Sequence, residues 1–243
     1  VQGRLYDDDL PLKLILLDGE TGCGKTAILG ELAIRGIQAL DLEALAQHRG
    51  SLFGGHAGQT QPSQKLCESR LLWHLERLDP ERPVLIEAES SKVGARSLPP
   101  ALWRAMLNAP RIEVAAPRTE RARYLVRAYA DIAQDREMLD RALARLPQRP
   151  GKKRIEEWTR LADEGDFAGL AEAMIALHYD PAYASSRRMP HRRSLGALGA
   201  ALDACRLDVP HARHRHGLVV GLLRTRLGRA LVLGPSRERL LHA

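Results

Sequence analysis

A glycine-rich segment between an apolar run and a predicted helix constrains the fold of this chain more than any other feature. The apolar run, 12–17, is flanked by polar residues and is typical of a buried strand. The segment after it fits G-x-x-x-x-G-K-[ST] and consists of Gly19, Glu20, Thr21, Gly22, Cys23, Gly24, Lys25 and Thr26. A helix is predicted from Thr26 to Arg35, before Gly36. This order of strand, turn and helix predicts a phosphate-binding P-loop, the Walker A motif.

The spacing of the motif matches the chemistry of phosphate binding. Glycines permit backbone angles that direct several N–H groups toward one point, and the helix N-terminus adds positive potential. Lys25 would bring its charge to the terminal phosphate oxygens, and the Thr26 hydroxyl is a candidate Mg²⁺ ligand. Cys23 is interpreted as a small residue that fills the loop rather than as a reactive thiolate. The motif leaves open which phosphate compound binds.

Strand and helix patterns alternate beyond the P-loop. Further strands are predicted at 38–42, 84–86 and 112–115. Helices are predicted at 63–78 and 99–107, and most of 119–178 also reads as helix. The alternation predicts an α/β fold: a P-loop NTPase-like parallel sheet with helices on both faces, followed by a mainly helical part. We divide the chain into a P-loop core (1–117), a helical extension of the same domain (118–186) and an Arg-rich tail (187–243).

Charged residues follow two of the predicted strands. Glu87 and Glu89 come after the third strand, where acids beside a P-loop can orient a Mg²⁺-bound water, although ordinary surface carboxylates fit the pattern equally well. Arg118 and Arg121 come after the fourth strand, at the sheet edge where ligands bind. They are candidate contacts to phosphate or RNA, and a solvated helix face is an equal alternative.

One long motif resembles a known family. Segment 41–54 reads DLEALAQHRGSLFG, and it resembles the D-L-E-x-x-A-x-H-R-G-S-x-F-G stretch of tRNA 2-selenouridine synthases. The resemblance continues in QPSQ at 61–64, in EAES at 87–90 with Gly94, and in HYDP at 178–181 with Tyr183. It extends over about residues 12–186, and the H-R-G-S motif is far more specific to a family than a P-loop alone.

The resemblance implies a tRNA-modifying transferase that acts on wobble 2-thiouridine. It implies S-geranylation from geranyl diphosphate, then replacement of the sulfur group by selenium from selenophosphate. His48, Arg49 and Ser51 become candidate contacts to RNA or phosphate. His48 and Arg49 also join Glu87 and Glu89 as candidate catalytic residues.

A rhodanese domain precedes the P-loop domain in full-length members of that family. Its catalytic cysteine lies in a C-W-R-G-G-M-R-S-like loop, and this sequence has no such loop; its three cysteines, Cys23, Cys67 and Cys205, lie in other contexts. We therefore expect selenium transfer to need a rhodanese domain that this chain does not supply, for example in a separate partner protein.

Two other functional classes remain open from the residues alone. A P-loop ATPase or small-molecule kinase would carry the same phosphate-binding motif and would differ by preferring ATP. A non-catalytic RNA-binding partner of a rhodanese protein, or the remnant of a broken gene, would need no catalysis at all.

The positive charge is concentrated in the tail. The last 57 residues hold 12 Arg and 3 acidic residues, whereas the first 186 hold 25 basic and 27 acidic residues. The tail is interpreted as an RNA-contacting extension, a solvated helical appendage or out-of-frame translation. No apolar run of about eighteen residues and no apolar N-terminal signal segment is present, so a cytoplasmic protein without membrane contact is expected.

Overall fold

A six-stranded sheet, parallel except for one edge strand, lies at the centre of the fold. The computed structural model describes residues 5–6, 9–51, 54–55, 59–144, 151–186, 218–221 and 231–235. The strands of the sheet are β1 (Lys13–Gly19), β2 (Gln38–Leu40), β3 (Pro83–Glu87), β6 (Arg111–Ala115), β7 (Leu218–Gly221) and β8 (Leu231–Pro235). Their order is β2-β3-β1-β6-β8-β7, and only β7 runs antiparallel to its neighbour. A separate antiparallel hairpin pairs β4 (Lys92–Val93) with β5 (Arg96–Ser97).

Helices flank the sheet and then continue as a helical extension. In the core they are α1 (Lys25–Ile34), α2 (Leu42–Ala46), α3 (Gln64–Leu75) and α4 (Pro100–Asn108). In the extension they are α5 (Arg118–Ala128), α6 (Ala130–Ala133), α7 (Arg136–Ala144), α8 (Lys152–Asp163), α9 (Phe167–Met174), a π-helical turn (Ile175–Tyr179) and α10 (Asp180–Ser186). The predicted fold class, a parallel sheet with helices on both faces and a helical part after it, is confirmed.

The apolar composition of β1 places this strand in the middle of the sheet. Successive side chains of a strand point to opposite faces, so an uninterrupted apolar run must be covered on both. Leu14 and Leu16 join the cluster that α3 and α4 complete, whereas Ile15 and Leu17 join the cluster that α1 completes. Both faces are therefore dry, and the P-loop emerges from the most buried strand.

The helical extension has a core of its own. The side chain of Trp158 is fully buried at its centre. The apolar residues around it come from α6, α7, α8 and α9 and include Ile132, Leu139, Leu143, Leu170 and Met174. Within the described residues, no helix is both long enough and apolar enough to cross a membrane.

Three local features differ from the sequence-based expectation. The predicted strand 38–42 ends at Leu40, because the Asp41 side chain accepts a hydrogen bond of 2.8 Å from the Ala44 N–H and caps α2. The β4–β5 hairpin was not predicted, since two residues per strand leave no alternating pattern to detect. Segments 218–221 and 231–235 of the Arg-rich tail form strands that extend the sheet; the rest of the tail lies outside the described residues.

Candidate functional site

The P-loop connects β1 to α1 at the carboxyl edge of the sheet, where α/β folds bind their ligands. Gly22 and Gly24 have φ angles of 85° and 75°, which residues other than glycine rarely adopt. A Cβ atom on Gly22 would also lie 2.9 Å from the carbonyl oxygen of Arg121 and 3.1 Å from Cγ of Leu125. The glycine spacing therefore serves both the loop conformation and its close packing against α5.

Lys25 reaches back across this loop. Its Nζ donates a hydrogen bond of 2.8 Å to the carbonyl oxygen of Gly19 and lies 5.9 Å from the ring centroid of Tyr183. Burial lowers the pKa of Lys25, but the nearby ionisable groups, led by Tyr183 and Glu87, together outweigh it, and the pKa lies above its usual value. The lysine therefore stays charged above the loop that is predicted to bind phosphate.

Cys23 is buried inside the P-loop. Burial raises the pKa of its thiol, and the nearby charges of Arg121 and Lys25 lower it by less. The thiol therefore stays protonated at neutral pH, which agrees with the interpretation that Cys23 fills the loop.

Three glutamates converge beside the P-loop and form what we call the acidic cluster: Glu43, Glu87 and Glu89. One carboxylate oxygen of each lies within 4.8 Å of those of the other two. Glu43 comes from α2, after β2. Glu87 is the last residue of the neighbouring strand β3, and Glu89 follows it. The Thr26 hydroxyl donates a hydrogen bond of 3.1 Å to Oε2 of Glu43 and so joins the cluster to the P-loop.

The environment of the acidic cluster disfavours full ionisation of its three carboxyl groups, since the pKa of each is raised. Glu87 is only 1% exposed, and among the described residues neither of its carboxylate oxygens has a hydrogen-bond partner. Burial raises the pKa of Glu87 to about 7, and burial together with the charges of Glu87 and Glu89 raises the pKa of Glu43 to about 8. Buried carboxylates without donors are costly unless a cation joins them, and an all-oxygen set beside a P-loop threonine suits Mg²⁺.

The raised pKa values predict how stability depends on pH. The folded state holds protons on Glu43 and Glu87 that the unfolded chain loses near pH 4.5, so the free energy of unfolding in EDTA should fall as pH rises from about 4.5 to about 8. For Glu87 alone the loss is on the order of 3 kcal/mol. Because Mg²⁺ needs the deprotonated carboxylates, its stabilising effect should grow over the same pH range. Urea unfolding at pH 6 and pH 8.5, with EDTA or Mg²⁺, measures both effects.

A Glu87→Gln variant is the control for this pH dependence. Glutamine keeps the size of the side chain and cannot titrate, so the variant should lose less stability between pH 6 and pH 8.5 and gain less from Mg²⁺. An unfolding free energy that rises with pH in EDTA would contradict the assigned pKa shifts.

The H-R-G-S segment closes the acidic cluster from the other side. Gly50 has a φ of 64°, and a Cβ atom there would collide with Oε1 of Glu43 and approach the Glu89 carboxylate oxygens at 3.0 and 3.1 Å. The third residue of the motif must therefore be glycine for two reasons, its backbone conformation and the space that the two carboxylates take.

A Gly50→Ala variant should therefore bind Mg²⁺ at least about tenfold more weakly, because the methyl group displaces two ligand carboxylates. Gly36→Ala is the matched control: Gly36 has a φ of 82°, but open space surrounds the position of its Cβ. Both variants carry the same kind of backbone strain, and only Gly50→Ala touches the acidic cluster. Titration calorimetry with Mg²⁺ separates them, and equal affinities in the two variants would contradict this role of Gly50.

The other residues of this motif fasten the loop to the helical extension. Arg49 Nη2 donates a hydrogen bond of 2.8 Å to Asp131, and its guanidinium lies 5.0 Å from the ring centroid of Tyr129. The hydroxyl groups of Ser51 and Tyr129 are 2.6 Å apart. The imidazole of His48 packs beside Gly94, since a Cβ there would approach its Cδ2 at 2.7 Å. Direct contact of His48, Arg49 and Ser51 with RNA or phosphate stays a prediction.

Arg121 was predicted to be either a contact to phosphate or RNA or part of a solvated helix face, and the structure buries it instead. It is 2% exposed, and its Nε donates a hydrogen bond of 2.8 Å to the carbonyl oxygen of Thr21. Its two Nη atoms contact Glu20 at 2.7 Å and Asp180 at 2.6 Å. Arg121 is therefore a positioning residue that joins the P-loop to α10, and not an outward contact to RNA. Arg118, the first residue of α5, is exposed, and its contact with phosphate or RNA stays a prediction.

Glu43 is the member of the acidic cluster that was not among the candidate residues of the sequence analysis. It belongs to the D-L-E part of the long motif and follows β2, the strand that pairs with β3. Parallel strands end at the same edge of a sheet, so the acid that follows the predicted second strand was the available signal, although the sequence does not show that β2 and β3 are neighbours. Glu89 also reaches the cluster although β3 ends at Glu87, because the chain turns there and the Glu89 N–H bonds to the Glu87 carbonyl at 2.9 Å.

Comparison with known proteins gives one consistent result. The family model of the tRNA 2-selenouridine synthase AAA domain matches residues 12–198. The tRNA 2-selenouridine synthase of Hahella chejuensis is 35% identical over 209 residues, which cover 84% of this chain and 46% of that protein. The one from Pseudomonas fluorescens is 32% identical over 225 residues, which cover 81% of this chain and 60% of that protein. This chain thus spans about half the length of these relatives.

One solved structure shows a weak similarity to this chain. The crystal structure of TT1252 from Thermus thermophilus matches with a TM-score of 0.32 and 20% sequence identity, covering 72% of this chain and 97% of that one.

Proposed function

Because the chain belongs to the tRNA 2-selenouridine synthase AAA domain family, we propose that its P-loop binds the diphosphate of geranyl diphosphate during modification of 2-thiouridine in tRNA. The observation that carries this proposal is the convergence of Lys25 and Thr26 with the acidic cluster at one edge of the sheet. This arrangement combines donors for phosphate oxygens with ligands for a divalent cation. The family name supports tRNA as the proposed substrate, and the convergence of these groups supports a diphosphate as the proposed ligand.

The proposed reaction transfers the geranyl group from oxygen to sulfur. The bond between C1 of the geranyl group and the diphosphate oxygen breaks, a bond between C1 and the thiouridine sulfur forms, and diphosphate leaves with both electrons of the broken bond. The N3 proton of the thiouridine is released to water, which leaves the S-alkylated base neutral. Lys25 and the P-loop N–H groups would stabilise the charge that develops on the leaving oxygen. The sulfur is a soft nucleophile, so the protein needs chiefly to hold it near C1.

We propose that Glu43, Glu87, Glu89 and Thr26 hold Mg²⁺ next to this diphosphate. The ion would supply a positive charge that neutralises the diphosphate oxygens. In this arrangement the buried Glu87 carboxylate, whose two oxygens have no hydrogen-bond partner among the described residues, gains a partner. Glu87 and Glu89 then act as ligands, which is a more specific role than that of general catalytic candidates.

The subsequent exchange of sulfur for selenium remains a proposal for a larger assembly. It would use selenophosphate and the cysteine of a rhodanese domain, as the resemblance implies, with this chain holding the tRNA and the diphosphate group. Arg118 at the exposed start of α5 is our candidate contact to tRNA phosphate. We propose that the reaction takes place in the cytoplasm.

Titration calorimetry with Mg²⁺ and either geranyl diphosphate or ATP tests the proposal. We expect tighter binding of geranyl diphosphate than of ATP, followed by Mg²⁺-dependent release of diphosphate when thiolated tRNA is added. Tighter binding of ATP with phosphate release would instead favour a P-loop ATPase or kinase.

A further inference from the structure

An apolar cavity lies in the helical extension, beside the P-loop. It has a volume of about 80 Å³. The empty space is about 560 Å³ when the part of the mouth that is open to solvent is included. Residues whose side chains line it include Leu125, Tyr129, Phe167, Ala171 and Met174. None of the described residues that line it is charged. Such a space is unfavourable for a phosphate or a charged side chain and favourable for a hydrocarbon chain.

The cavity adjoins the phosphate cradle directly. Thr21, the third residue of the P-loop, forms part of its wall. The neighbouring Gly22 packs against Leu125, another wall residue, and Arg121 fixes the Thr21 carbonyl with a hydrogen bond of 2.8 Å. A ligand with its phosphate group at the P-loop would therefore have this cavity within reach of its remaining part.

The cavity also adjoins the loop that closes the acidic cluster. Tyr129 forms part of the wall, and its hydroxyl lies 2.6 Å from the hydroxyl of Ser51. Arg49 stacks on the same tyrosine ring from the loop side. One side chain thus separates the apolar space from the polar loop, and its hydroxyl is already hydrogen-bonded.

We infer that this cavity binds the apolar chain of a diphosphate ester, an isoprenoid chain, whose diphosphate lies at the P-loop. The inference rests on the proposed function and adds the position of the chain to it. A nucleobase is a poorer occupant, because its ring nitrogens and amino group need several hydrogen-bonding partners and this wall is built mainly from apolar side chains. An isoprenoid needs none and gains affinity with each buried methylene group.

The test compares ligands that share a diphosphate and differ in chain length. Inorganic diphosphate, dimethylallyl diphosphate and geranyl diphosphate are titrated with Mg²⁺ into the full chain by calorimetry. Burial of only a few methylene groups should make geranyl diphosphate bind about a hundredfold more tightly than inorganic diphosphate. Dimethylallyl diphosphate should lie between them.

A variant that fills the cavity tests whether the tighter binding of geranyl diphosphate comes from this cavity. Ala171→Phe inserts a ring into the wall on α9, and Ala168→Phe places the same ring on the exposed side of that helix. Ala171→Phe should bind geranyl diphosphate no more than about tenfold more tightly than inorganic diphosphate, with unchanged affinity for the latter. Ala168→Phe should behave as the unmodified protein. The series with the unmodified protein tests chain binding even where Ala171→Phe does not fold.

The outcomes distinguish this inference from the proposed function. If inorganic diphosphate and geranyl diphosphate bind with equal affinity, or if Ala171→Phe keeps the full preference, the cavity does not bind the chain while the P-loop still binds diphosphate. If the protein binds no diphosphate at all, the proposed function fails first. If ATP binds tightly and Ala171→Phe abolishes its binding, the cavity accepts a nucleobase and the inference is overturned.

Discussion

Replacing Lys25 with methionine should weaken the binding of diphosphate, in the presence of Mg²⁺, by about a hundredfold, since a charged donor to a phosphate oxygen is worth roughly 1.5–3 kcal/mol. The effect on geranyl transfer should be larger, on the order of a hundredfold to a thousandfold in rate, because the charge on the leaving oxygen grows as the bond breaks. Methionine matches the length of lysine and lacks its charge. Calorimetry with inorganic diphosphate gives the first number, and diphosphate release with thiolated tRNA gives the second.

Lys13→Met is the matched control for this substitution. Lys13 is the first residue of the same strand, β1, at the opposite end from the P-loop. Its exposed Nζ forms an ion pair of 3.0 Å with Glu81. An exposed pair of this kind contributes at most about 1 kcal/mol, so Lys13→Met should bind diphosphate as the unmodified protein does. If Lys25→Met also kept full affinity, the P-loop would not be the diphosphate site.

The features that could be predicted from the sequence are those encoded over short stretches. A run of consecutive apolar residues identified β1, and the glycine spacing after it identified the P-loop that begins at Gly19. The boundaries of β3 and β6 were predicted to within one residue at each end. In each case the signal lies in neighbouring residues, because strand burial and turn conformation are set locally.

The features that could not be predicted depend on residues far apart in the chain. Glu43 and Glu87 meet only because β2 and β3 are neighbours in the sheet, and a single sequence gives no direct sign of that pairing. Arg121 has acidic and basic residues beside it in sequence, which is also the pattern of a solvated helix face. Its partners Glu20 and Asp180 lie 101 and 59 positions away, so its burial could be recognised only in the folded chain.

The H-R-G-S segment explains why one short motif can identify the family so specifically. Gly50 touches the acidic cluster, whereas Arg49 and Ser51 touch Asp131 and Tyr129 of the helical extension. The segment thus contacts both the acidic cluster and the helical extension. A substitution in this segment is therefore expected to disturb either the acidic cluster or the attachment of the extension.

Arg121→Met should lower the free energy of unfolding by about 3 kcal/mol, because it removes a buried guanidinium and leaves two carboxylates without their partner. Glu20 and Asp180 are each partly exposed, with side-chain exposures of 34% and 23%, which keeps the loss toward the low end of the range for buried pairs. The Thr21 carbonyl also loses its donor, so the P-loop should be held less firmly and bind diphosphate more weakly. Urea unfolding measures the first effect, and calorimetry with inorganic diphosphate measures the second.

Arg123→Met shows whether the loss belongs to this contact or to α5 in general. Arg123 lies on the same helix, its side chain is 64% exposed, and it pairs with Glu120 one turn away. Such a surface pair is worth about 0.5 kcal/mol or less, so this variant should keep both stability and diphosphate affinity. A loss of stability in Arg121→Met without weaker diphosphate binding would mean that Arg121 only joins α5 to α10. Equal losses in both variants would mean that the buried contacts of Arg121 contribute nothing beyond those of an exposed arginine.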